Sequence, residues 1–433
     1  MISPSASISP EGWRAVRPEE RAALAWSFGY FFCLLCGYYI LRPLRDEMGI
    51  QGGVQALPWV FTATLLAMLA AVPLFGWASA RLPRKRLLPA VYGFFLLNLL
   101  AFFGAFRAGA EAEWTARAFF VWVSVYNLFV VSVFWSFMVD LFDREQAPRL
   151  FGFIAAGGSA GALAGPALTA TLVQPLGTIN LLLVSAGFLA LATLCIFRLL
   201  AWSTQRGGGQ APAEAPLGGG IWSGVAEVAR SPYLLGIVGY MVLYTVLSTF
   251  LYLEQARLVA DAGMASEART TLFASMDLAV NLLALAGQAF ATARLIHRLG
   301  VALALALVPA LTLAGFGVLA LVPVLGVVVG FQVLRRAADF AIARPARELL
   351  YTVVEREAKY KAKNFIDTVV YRSGDAAGGW AFAALKALGL GLAGIAWVAV
   401  PLAALWMALS VALGRRQAEL SRQEAGNAER RSR

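Results

Sequence analysis

Charge is scarce in this sequence: 14% of its 433 residues are charged, 60% are hydrophobic, and the mean hydropathy is +0.70. Soluble domains carry about 25% charged residues, so the composition excludes a water-soluble domain and points to a chain that folds in hydrocarbon. Histidine is limited to His297, in a basic turn. That leaves no histidine-based metal cluster, and neither a metal, a cofactor nor a catalytic residue is expected. Cys33, Cys36 and Cys195 are the only cysteines. All lie inside apolar runs, and the three-residue spacing of Cys33 and Cys36 does not favour a disulfide within one helix, so the three are read as packing residues. Glycine is plentiful but never follows a strand pattern, so no phosphate loop is indicated. The opening "MISPSASISPEGWRAVRPEER" lacks an apolar stretch followed by small residues, and the first apolar run is expected to serve as the anchor itself.

What is present is a series of apolar runs near the length of about 20 residues that crosses a bilayer. They fall at 22–41, 55–79, 87–106, 117–141, 150–173, 178–201, 233–254, 270–293, 299–320, 322–343, 364–385 and 389–413. The expected class is therefore an all-α integral membrane protein of about twelve transmembrane helices. The net charge of +11 is spread between the runs and forms no single patch, so the partner is the lipid bilayer and not a nucleic acid. Cations gather on one side: Arg14, Arg17 and Arg21; Arg81, Arg84, Lys85 and Arg86; Arg294 and Arg298; Arg344 to Lys363; and the tail from Arg415. The other side holds only Arg42, Arg45, Arg107, Arg117, Arg257, Arg269 and Lys386. The positive-inside rule then places both termini in the cytoplasm, here of a bacterial-type inner (plasma) membrane.

Between the sixth and seventh runs lies "STQRGGGQAPAEAPLGGG", whose composition reads as a flexible linker. The expected organisation is a cytoplasmic segment 1–21, a six-helix bundle 22–202, a linker 203–232, a second bundle 233–413 and a basic tail 414–433. Within the linker, "IWSGVAEVAR" reads as a short helix lying in the membrane interface. The halves echo each other in "DREQAPRLFGFIAAGGSAGALAG" and "EREAKYKAKNFIDTVVYRSGDAAGG", which align Arg149 with Lys363, Phe151 with Phe365 and Gly165 with Gly379. Two parallel six-span repeats are the plan of the major facilitator fold, with substrate at the midplane. The loop "GWASARLPRKR" partly resembles that superfamily's signature, with Ala80 in place of its aspartate and Pro83 in place of its second glycine.

A charge at the bilayer centre costs about 2.5 to 3.5 kcal/mol even on insertion scales, so charged residues inside the runs are the candidates for function. Arg335, Arg336 and Asp339 fall midway along the tenth run, at spacings of four and three residues. Arg372 and Asp375 lie midway along the eleventh, with Lys363 and Asp367 forming a four-residue-spaced pair at its start. Asp277, Asn281 and Gln288 form a stripe on the eighth, and Asp140 ends the fourth. In "YYILRPLRDEMG", Arg42, Arg45 and Asp46 close the first run, where Pro43 is expected to bend or end the helix.

The "LRPLRDE" order resembles the first span of the ATP/ADP translocase family, the nucleotide transporters of plastids and intracellular bacteria. Arg42 stands for its arginine, Arg45 for its lysine and Asp46 for its second aspartate. "FWSFMVDLFDREQAPRLFG" is similar to the family's passage between spans four and five and sets Asp140 at its acidic position. "KYKAKNFIDTVVYRSGDAAG" is similar to its entry into span eleven at Lys361, Lys363, Ile366, Asp367, Arg372 and Gly374, while Asp375 stands where a lysine is expected. The resemblance implies nucleotide exchange, of ATP against ADP in the best-known members, through charged residues on spans one, four, eight and eleven. Asp277 falls on the eighth.

The function expected is thus a secondary transporter, monomeric, of a small anionic and phosphorylated metabolite, with a nucleotide favoured by the resemblance. The alternative is a proton-coupled exporter of a small organic solute. It draws on Gly152, Gly161, Gly165 and Pro166, spaced like an antiporter signature, with Asp277 or Asp375 carrying the proton. A receptor or assembly factor, which would show no solute flux, stays open.

Overall fold

The computed structural model describes residues 16–109, 111–143, 145–205 and 221–432, and every regular element among them is helical. The first half comprises α1 (Arg21–Gln51), α2 (Leu57–Arg81), α3 (Arg84–Arg107), α4 (Ala112–Leu141), α5 (Gln146–Leu176) and α6 (Leu181–Gln205). A short helix, α7 (Ile221–Arg230), precedes α8 (Pro232–Asp261), α9 (Ser266–Phe290) and α10 (Thr292–Leu321). Two interrupted runs follow. The first is α11 (Leu325–Ala338), a π-helical turn Asp339–Ala343 and α12 (Arg344–Leu350); the second is α13 (Arg356–Phe365), a π-helical turn Ile366–Val370 and α14 (Tyr371–Ala387). The last helix, α15 (Leu392–Ser432), carries the basic tail as a continuation of its membrane part.

Ten of these helices are long and apolar enough to cross a membrane. The tenth and eleventh expected spans are the two interrupted runs, whose charges lower their hydropathy without breaking the helix. Two sequence expectations are corrected. Pro43 does not end the first helix, because losing one N–H is tolerated within a membrane span, and α1 continues to Gln51 before turning at Gly53 (φ +89°). Arg42, Arg45 and Asp46 therefore lie on the helix and not in an outer loop. Likewise Arg344 is not a loop residue but the first of α12.

The chain packs as two compact units. One holds α1, α3 to α6, residues 66–81 and Met264–Leu278 of the start of α9; the other holds Val54–Leu65, α7, α8, the rest of α9 and α10 to α15. Each has the same packing scheme. In the first, α1 packs on α4, α5 and α6, and α3 on α4 and α6. In the second, α8 packs on α11, α14 and α15, and α10 on α11 and α15. This is the repeat of the sequence restated as helix neighbours.

Small residues set the closest approaches. On α5, Gly157, Gly161 and Gly165 face the backbone carbonyls of Phe28, Phe32 and Cys36, and a Cβ on Gly165 would meet the Cys36 oxygen at 2.7 Å. On α14, Gly374 and Gly378 sit against Thr245 and Thr249 of α8. Gly379, aligned with Gly165 by sequence, instead meets Pro58 and Phe61. The π-helical turn before it, absent from α5, changes the angular register of the helix beyond it. An aromatic layer fills the first unit, with Phe31 stacked on Phe134 at 4.1 Å, Tyr30 hydrogen-bonded to Tyr92, and Tyr92 donating to the Val130 carbonyl at 3.2 Å. Such ring pairs contribute about 0.5–1.5 kcal/mol each beyond their buried area. Cys33, Cys36 and Cys195 are buried and unbridged. In the second unit, α7 lies against α13, with Gly224 close to the Lys361 carbonyl.

Candidate functional site

In the first unit the C-terminal end of α1 is joined to the start of α9 by two ion pairs. Arg269 grips Glu47 with Nε at 2.6 Å and Nη2 at 2.7 Å, and the Glu47 side chain has no exposed surface. Further along, Arg42 Nε lies 3.5 Å from Asp277 Oδ2, with Asp277 2% exposed. Removing these charges from water is tolerable only because each faces its opposite. Arg45 donates to Asp46 Oδ1 from Nη2 at 2.7 Å and lies over the Phe120 ring at 5.0 Å. Arg117 donates from Nε to the Gly52 carbonyl at 2.6 Å and so caps the end of α1. Arg42, Arg45, Arg117, Arg257 and Arg269, read from sequence as charges of outer loops, all stand on helices. Asp140 is exposed at the C-terminal end of α4, remote in sequence from these pairs.

The second unit holds a connected polar network around the first π-helical turn. Arg335, 4% exposed, donates from Nη1 to Ser248 Oγ at 2.8 Å and from Nη2 to Gln332 Oε1 at 3.3 Å, while its buried Nε has no hydrogen-bond partner among the described residues. Ser248 donates to the Tyr244 carbonyl at 2.6 Å, and the Tyr244 hydroxyl donates to Asp339 Oδ2 at 3.1 Å. Asp339 also accepts from Arg344 Nε at 3.1 Å. The sequence paired Asp339 with Arg335 or Arg336 at α-helical spacing. The π-helical turn makes the five-residue spacing to Arg344 the aligned one, and that is the ion pair Asp339 forms here. Arg344 is half exposed and lies 4.2 Å from the Phe340 ring centre. Arg336 is partly exposed on the same helix.

Around the second π-helical turn, Arg372 Nη1 bonds Asp375 Oδ2 at 3.2 Å, as the three-residue spacing suggests. Lys363, expected beside Asp367, donates instead to Glu348 of α12. Asp367 is exposed, and Asn281 is partly buried on α9. Gln288, on the expected stripe of α9, donates to the Phe340 carbonyl at 3.0 Å and so touches the first π-helical turn. On α13, hydrogen bonding to Lys361 holds the exposed Glu357 carboxyl below its usual range, and the same bond raises the lysine.

Sequence reasoning missed Glu47, Glu254, Arg269, Arg344 and Arg347. In all five the signal was present but misplaced, since each was assigned to a loop or to a span end by runs drawn too short. Arg347, on α12, contributes Nη1 to the Met241 sulfur at 3.1 Å. Glu254 is fully buried in α8 and has no hydrogen-bond partner on either oxygen among the described residues.

Ten membrane-length helices among the described residues, in two repeats and with charges paired inside them, define a polytopic membrane protein. The chain belongs to the Major Facilitator Superfamily, whose model matches residues 27–335. Comparison with curated protein sequences gives no match. Among solved structures, the chain is similar to a bacterial homologue of the iron transporter ferroportin in an inward-facing state, at a TM-score of 0.66 and 13% identity over 92% of this chain and 98% of that one. It is similar to the POT family transporter PepTSo at 0.63 and 14%, over 93% and 98%. It is also similar to a mutant of the nucleoside transporter NupG, at 0.58 and 12%, over 93% and 99%. At these identities the likeness shows the fold alone.

Proposed function

We propose that the protein is a secondary transporter of an anionic, phosphorylated metabolite, with nucleotide exchange as its first form. One observation carries the reading. Along 335–347 and 366–375 the helices of the second unit bear five arginines, Arg335, Arg336, Arg344, Arg347 and Arg372, against three aspartates, Asp339, Asp367 and Asp375. The excess is of the residue whose planar fork suits phosphate and keeps its charge when desolvated. Arg335 supports it further with a buried Nε that has no acceptor among the described residues. Arg42, Arg45 and Asp140 enter the reading as positions where the chain resembles nucleotide translocases, and Asp277 as a charge on the eighth span, which the resemblance also invokes. In this account an anionic ligand takes over the arginine now held by Asp339, which shifts the balance between alternative conformations.

The test is thermal stability of the purified protein with nucleotides, sugar phosphates and lipophilic cations. A ligand bound only by the folded state stabilises it by about 2.7 kcal/mol at a hundred times its dissociation constant. Nucleotides should raise the melting temperature of the wild type and fail to raise that of Arg335→Ala. Stabilisation by lipophilic cations alone would favour the exporter reading.

A further inference from the structure

Glu254 is the one carboxyl among the described residues that is fully buried with both oxygens unpartnered. It stands eighteen residues, five helical turns, beyond Gly236 on α8 and so on the same stripe. That stripe packs on α15, where Gly236 meets Leu413, Gly239 meets Leu409 and Tyr240 meets Trp406. The outer half of α15, "LAGIAWVAVPLAAL", offers the carboxyl neither a charge nor a side-chain donor except the Trp397 indole, which is half exposed.

The other elements packed on α8 supply no partner either. On α11 the charges are Arg335 and Arg336, of which Arg335 is bound to Ser248. On α14 they are Arg372 and Asp375, joined to each other, and Lys386 in its last turn; Tyr371 stacks toward Tyr244. The π-helical turn Ile366–Val370 brings Asp367, α7 brings Glu227 and Arg230, and the segment Val54–Ala56 has no titratable side chain. On α8 itself, Arg257 lies one turn beyond Glu254, with its guanidinium 5.5 Å from the Phe382 ring centre and its buried Nε without a hydrogen-bond partner among the described residues. An ionised carboxylate without a partner in such surroundings is far costlier than the neutral acid, which buries a much smaller polarity.

We infer that Glu254 is a proton-binding site: it holds a proton in this conformation, and its release couples a proton to the conformational cycle. Release breaks the carboxyl O–H bond, passes the proton to water and leaves a carboxylate, for which Arg257, already carrying an unused N–H at the next turn, is the counter-charge. The assignment needs only a chain that changes conformation, not the nucleotide reading, and it differs from the sequence expectation that Asp277 or Asp375 would carry a proton, since both are paired with arginines.

The experiment reads the proton without a substrate. Infrared difference spectra of the purified protein in lipid, titrated from neutral to alkaline pH, should show the carbonyl stretch of a neutral carboxyl at neutral pH and its loss at higher pH. Glu254→Gln should lack that band, and Glu254→Asp, which keeps a carboxyl, should retain a displaced one. Over the same range, amide hydrogen exchange in the outer half of α8, corrected for intrinsic pH dependence, should rise in the wild type and stay flat in Glu254→Gln. A neutral-pH spectrum identical in wild type and Glu254→Gln would overturn the assignment. So would exchange that rises equally in both, or loss of the band on adding sodium at constant pH, which would mark a cation site.

Discussion

Two kinds of charged residue occur within these helices. Some are joined in mutually neutralising pairs, as Glu47 is with Arg269; others, such as Arg335, retain a donor with no acceptor among the described residues. The distinction yields a prediction for Arg42 and Asp277, which lie 3.5 Å apart with Asp277 buried. Removing one member of a buried pair strands the other and costs about 3–5 kcal/mol, whereas neutralising both costs far less. Arg42→Gln and Asp277→Asn should each lower the melting temperature clearly, and the double variant should recover most of the loss. If Arg42 also receives substrate, the double variant will be stable and still fail to transport. Equal melting temperatures for the singles and the wild type would show that the pair contributes little. Much of this layer was legible beforehand, because a charge inside an apolar run is conspicuous. Its partner was not, since Asp277 is 235 positions from Arg42 and no spacing rule spans that distance.

At the scale of elements, the decisive feature is the pair of π-helical turns, Asp339–Ala343 and Ile366–Val370. Such turns arise where one extra residue is accommodated in a helix, and they frequently mark functional sites. No simple residue pattern announces them, which is why the sequence paired Asp339 with Arg335 or Arg336 and Lys363 with Asp367, both at α-helical spacing. Helix existence, by contrast, was readable from apolar run length alone, while ends were misplaced wherever charge entered the helix, as at Arg42 to Gln51 and Arg344 to Leu350. Deletion of Ile342 tests the role of the first turn. It should restore α-helical spacing and rotate Arg344 by about 100° relative to Asp339. Nucleotide-dependent stabilisation should then be lost while detergent-purified yield is kept. Unchanged ligand response would mean that the Asp339–Arg344 pairing is incidental.

On the scale of the whole chain, the repeated packing scheme, with α1 and α8 each against the fourth, fifth and sixth spans of its own repeat, follows from the echo between the halves. The substrate does not, because the same fold serves transporters of many solutes. The central claim is that the arginine excess of the second unit serves a phosphorylated anion, and counterflow tests it most directly. Liposomes containing the protein and loaded with unlabelled ATP or ADP should accumulate labelled nucleotide faster than empty ones, because exchange returns the carrier loaded, and Arg335→Ala should abolish the difference. Equal accumulation in loaded and empty vesicles across ATP, ADP and AMP, together with proton-driven movement of a lipophilic cation, would contradict the account.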